Sequence, residues 1–71
     1  MLTPFGKKVR KLRIDVGVTL KSMAHAMGVT SSYLSAIETG KRAVTDPVLK
    51  SIISYFTNEG VHAGDELTKA A

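Results

Sequence analysis

Cysteine is missing altogether from this chain of 71 residues. Neither a disulfide nor a thiolate-bound metal can therefore staple it, and its stability has to come from packing. Histidine is nearly as scarce, with only His25 and His62. His25 has no Cys, His or carboxylate at i±4, and His62 with Asp65 or Glu66 offers too few ligands to hold a metal, so no metal or other cofactor is expected. A serine nucleophile would need a base and an orienting acid, and the sequence shows no GxSxG, no phosphate loop and no paired-carboxylate signature. An enzyme is not expected. No apolar run approaches the roughly 18–20 residues of a membrane span. The opening MLTPFGKKVRK lacks the charged-then-apolar order of a secretion signal, so the chain reads as soluble and cytoplasmic. Repeats, low-complexity tracts and strand-like alternation are also absent. What remains is one small domain whose single core is only marginally stable, to which a partner or a dimer interface would contribute.

The residues that are present spell helices. Thr3 caps a first helix with Pro4 at its opening position, where a missing N–H costs nothing, and Phe5, Val9, Leu12 and Val16 make one apolar stripe up to Gly17. Thr19 and Thr30 stand ahead of two further apolar-periodic runs, and Gly28 lies between them as a stop. They predict a helix over residues 20–27, with Leu20, Met23, Ala24 and Met27 inward, and another over residues 31–39, with Leu34 and Ile37 inward. Asp46 is expected to cap a fourth helix with Pro47 at its first position and Leu49, Ile52, Ile53 and Phe56 as its stripe. The final HAGDELTKAA reads either as a short fifth helix around Leu67 or as a frayed tail. The fold class is all-α, a compact domain of four or five short helices. Residues 1–60 form the working unit, and residues 61–71 are a tail or a dimerisation segment.

Charge is unevenly spread along this frame. Residues 1–42 carry eight Lys/Arg against Asp15 and Glu38, a balance of +6, while residues 43–71 come to −2. A basic run alone reads as a solvated face. The third helix changes that reading, because Ser32, Ser35, Ala36 and Thr39 gather on the side opposite Leu34 and Ile37, with Ser31 and Tyr33 on the flanks. Ordinary solvent-facing stripes favour long polar side chains. Small ones let the helix backbone come close to another molecule. A short helix of this kind, with cations on a neighbouring helix and at Lys41 and Arg42, matches what the major groove of duplex DNA admits. Phosphates would meet cations and helix N-terminal N–H groups, and base edges would meet the small polar stripe.

The segment LRIDVGVTLKSMAHAMGVTSSYLSAIETGKR resembles the helix-turn-helix domain of the phage repressor and Cro family, which includes related bacterial regulators and antitoxins. The resemblance covers about residues 5–57. Its most specific parts are Gly17-x-Thr19, Met23-Ala24, Gly28-Val29-Thr30 and Ile37-Glu38-x-Gly40-Lys41-Arg42. It implies a lambda-repressor-like fold in which Ser31, Ser32, Ser35 and Ala36 read bases and Tyr33 touches backbone or a base edge. Phosphate contacts would fall on Thr19, Leu20, Thr39, Lys41 and Arg42, and Arg13 would pair with Glu38. Many members of the family carry glutamine where this chain has Leu20. Leucine cannot donate a hydrogen bond, so that clamp is either absent or supplied by Lys21.

The resemblance and the residues together imply a Cro-like repressor that binds a palindromic operator in double-stranded DNA. One recognition helix with short side chains discriminates weakly, whereas two-fold pairing doubles the base contacts over half-sites about one helical turn apart. A homodimer is therefore expected, through Tyr55, Phe56, Val61 and Leu67 at the less basic end. Two rivals remain. One is an antitoxin that binds a toxin and represses its own operon, and the other is a protein-binding helical module that never touches DNA.

Overall fold

Threonine caps and glycine stops punctuate the chain in the computed structural model, which describes residues 1–71. Helix α1 (Pro4–Val16) begins where Thr3 Oγ1 accepts the Gly6 N–H at 3.0 Å. Helices α2 (Leu20–Met27) and α3 (Ser31–Glu38) are opened in the same way by Thr19, which accepts from Ser22 N–H, and Thr30, which accepts from Tyr33 N–H. Gly17 and Gly28 end α1 and α2 at φ of 85° and 73°, a left-handed conformation that costs glycine nothing. Helix α4 (Asp46–Asn58) is followed by α5 (Gly64–Ala70).

At the start of α4 the expected cap moves by one position. Thr45 is the N-cap, although its side chain makes no capping hydrogen bond, and Asp46 stands in the first turn ahead of Pro47. There the Asp46 carboxylate faces the positive end of the helix dipole. The chain end is helical despite lacking a capping side chain, because Leu67 is wholly buried and α5 packs on α1 and α4. Lys8 on α1 and Glu66 on α5 add an ion pair at 3.4 Å, exposed enough to contribute little.

One continuous apolar core joins all five helices. It contains Phe5, Val9 and Leu12 of α1, Met23 and Ala24 of α2, Leu34 and Ile37 of α3, Ile52 and Phe56 of α4, then Ala63 and Leu67. This corrects two of the four residues expected at a dimer interface. Phe56 and Leu67 are both 0% exposed, so their apolar surface is consumed within one chain and is not available to a second. Tyr55 and Val61 are half-buried.

Helices α1 and α3 meet at unusually short range. A Cβ on Gly6 would overlap the Glu38 carbonyl, so only glycine lets the two backbones approach this closely. Thr3 completes the junction by donating to that carbonyl from both its N–H (3.0 Å) and its Oγ1 (3.1 Å). The end of α3, which the helix itself leaves with unsatisfied carbonyls, is thus held by the beginning of α1.

Candidate nucleic-acid interface

With Leu34, Ile37 and Glu38 buried, α3 turns Ser31 and Ser32 fully outward and leaves Ser35, Ala36 and Thr39 half-covered. A shallow groove of about 390 Å³ runs along this face, lined by Leu20, Ser31, Ser32, Ser35, Ala36, Thr39 and Lys41. Four base-reading candidates and three phosphate candidates from the sequence therefore share one surface. Thr19, Lys21, Tyr33 and Arg42 lie outside the groove lining.

The hydroxyls along this surface differ in what they can still do. Neither Ser32 nor Ser35 spends its side chain on an internal hydrogen bond, so each can donate to or accept from an incoming group. Thr19 Oγ1 accepts from Ser22 N–H and keeps its own hydrogen. Thr39 is the opposite case. Its Oγ1 donates to the Ser35 carbonyl at 3.0 Å, which leaves only lone pairs, the wrong polarity for a phosphate. Leu20 presents only apolar surface to the groove mouth, suited to a sugar or a thymine methyl.

Behind the groove, α3 is clamped to α1. Arg13 Nη1 lies 2.6 Å from Glu38 Oε2, and Nη2 lies 3.3 Å from Oε1, a two-pronged pair with both side chains almost fully covered. Burial pushes the Glu38 carboxyl above its ordinary value of 4.5, and the Arg13 guanidinium, helped by Arg10, draws it part of the way back. No buried polar side-chain atom in the molecule is without a partner, so the clamp is satisfied throughout.

Two features of this site were not read from the sequence. Gly6 is one; a glycine inside an otherwise helical stretch was its visible signal. The other is the contact between Arg42 and Tyr33, in which the Arg42 Cζ lies 5.1 Å from the centre of the Tyr33 ring. The loop after α3 brings them together by folding back, with the Arg42 N–H donating to the Ala36 carbonyl at 3.1 Å. The chain contains no group of three or more His, Asp or Glu residues placed to hold a metal, and no helix is long and apolar enough to cross a membrane.

A family model described as helix-turn-helix matches residues 9–57, taking in α2, α3 and the turn between them. The chain belongs to the Cro/C1-type helix-turn-helix family. Its all-α, lambda-repressor-like fold follows from that membership. The helix-turn-helix-type transcriptional regulator PrpR of Mycobacterium tuberculosis (strain H37Rv) is 33% identical over 51 residues, which is 72% of this chain. Those residues make up 10% of PrpR, so this helix-turn-helix chain spans about a tenth of that relative's length. No solved structure matches significantly.

Proposed function

We propose that this helix-turn-helix chain is a Cro-like repressor that binds a palindromic operator as a homodimer, laying α3 into the major groove. The observation that carries the reading is the groove on α3, where unengaged serine hydroxyls lie beside Leu20 and Lys41 with only small side chains between them. Ser31, Ser32, Ser35 and Ala36 meet base edges. Thr19, Lys21, Lys41 and Arg42 meet phosphates, and Thr39 contributes through its place in the groove wall rather than through its hydroxyl hydrogen. A repressor of this kind works where the chromosome is, in the cytoplasm. The role of PrpR as a transcriptional regulator agrees with this reading.

Selection of bound duplexes from a random pool tests the proposal. A palindromic consensus with half-sites about one helical turn apart is the expected result. Affinity should also fall steeply with salt, close to one log unit of slope per phosphate neutralised. A duplex affinity that is weak at low salt would instead favour a protein-binding module.

With Phe56 and Leu67 committed to the core, Tyr55 and Val61 remain for the dimer contact. Tyr55 lines an open groove of about 600 Å³ between the end of α2 and α4, together with Ala26, Met27, Lys50, Ser51, Ser54, Asn58 and Glu59. Lys50 lies in the second turn of α4 and Glu59 is its C-cap, separated by a half-integral number of turns and hence on opposite flanks of that surface. A two-fold axis lying in the plane of that surface, perpendicular to the line joining them, would bring each Lys50 across from the partner copy's Glu59. Exchange of either charge, Lys50→Glu or Glu59→Lys, should weaken self-association in sedimentation. The double exchange should restore it.

A further inference from the structure

We infer that Tyr33 positions Arg42 for a phosphate and does not itself read bases, an inference that rests on the DNA-binding reading above. The Tyr33 ring is half-buried and packed against the core, while Arg42 is exposed and holds its Cζ 5.1 Å from the ring centre. A cation over the face of an aromatic ring is attracted by the negative lobe of its quadrupole. The Arg42 guanidinium makes no internal hydrogen bond or ion pair there, so its N–H donors stay free for a two-pronged grip on a phosphate. The backbone is held as well, through the Arg42 N–H on the Ala36 carbonyl.

Lys41 offers the contrast. It lines the α3 groove, but no hydrogen bond or ion pair fixes its ammonium. A long side chain that must be immobilised on binding loses rotamer freedom, and one already held against a ring loses less. Lys41 therefore acts as a mobile charge and Arg42 as a preset fork. Because Tyr33 lies in the first turn of α3 beside Ser32, the phosphate grip is referenced to the same helix that meets the bases. A displacement of that helix carries the fork with it.

The test measures duplex affinity at several salt concentrations for Tyr33→Phe, Tyr33→Leu, Arg42→Lys and the Tyr33→Leu/Arg42→Lys pair, with unfolding followed by circular dichroism. Tyr33→Phe keeps the ring face and should bind like the parent. Tyr33→Leu should lose roughly two- to fivefold on matched and unrelated duplexes alike, without changing the preferred sequence. Arg42→Lys should lose a similar factor although its charge is kept, and the double variant should be no worse than the weaker single one. An altered sequence preference in Tyr33→Leu, a loss in Tyr33→Phe equal to that in Tyr33→Leu, or additive losses in the pair would each overturn the inference. Should Tyr33→Leu fail to fold, the exchange Lys41→Arg/Arg42→Lys decides. It conserves charge and composition and should lose as much as Arg42→Lys alone, whereas parental affinity would overturn the positioning role. If neither Lys41→Ala nor Arg42→Ala weakens any duplex, the DNA-binding reading fails with it. If Arg42→Ala weakens binding and Tyr33 shows no coupling to it, only the positioning role fails.

Discussion

Removing the Arg13 guanidinium strands a covered carboxylate on Glu38. Arg13→Met should cost about 3–5 kcal/mol in denaturant unfolding, and adding Glu38→Leu should recover much of that loss, since two apolar side chains need no partner. The pair also has a pH signature. Because the folded-state pKa of Glu38 is raised, the native chain holds that proton more tightly than the unfolded chain does. Its contribution to stability is greatest below the ordinary value of 4.5 and declines as pH rises through the raised one. Glu38→Gln lacks that decline, so its unfolding free energy should fall less, or rise more, across the same interval than the parent's. Gly6 belongs to this scale too. Gly6→Ala should destabilise by about 1–3 kcal/mol through overpacking, and thermal unfolding would show it. The Arg13–Glu38 relation was suggested by family resemblance, whereas the place of Gly6 required knowing which carbonyl lies opposite it, something no local pattern encodes.

At the level of elements, α1 to α4 were legible because their signals are local. Thr3, Thr19 and Thr30 each close a hydrogen bond within three residues, and Gly17 and Gly28 stop the helices they follow. Helix α5 had no such signal. Ala63 precedes it without a side-chain cap, and a helix this short is not stable alone, so its existence depends on burying Leu67. The outward face of α3 was legible from the phase set by Leu34 and Ile37, while the engaged hydroxyl of Thr39 was not. Ser32→Ala and Ser35→Ala remove hydroxyls that make no internal hydrogen bond. The pair should leave the thermal midpoint nearly unchanged, within the equivalent of about 0.5 kcal/mol. The consensus recovered from a random duplex pool should nevertheless shift.

For the whole molecule the difficulty was telling a core from an interface. Apolar residues in a region of low charge suit either, and only the packed arrangement shows that Phe56 and Leu67 are filled from within. The same packing gives α5 a weight out of proportion to its length. Leu67→Ala should cost about 2–5 kcal/mol, a large part of the stability of so small a domain, and a lowered urea midpoint would register it. DNA binding at low temperature should survive in the fraction that remains folded.

The junction of Thr3 and Gly6 with Glu38 also bears on where this domain can be cut. The helix-turn-helix match begins at residue 9 and ends at residue 57. A protein trimmed to those bounds would keep both helices of the motif and every side chain that lines the α3 groove. It would discard Thr3 and Gly6, which hold the far end of α3, together with the core residues Phe5 and Leu67. The portion recognisable by likeness is thus smaller than the packed unit, and the missing margin is what fixes the angle at which α3 is presented.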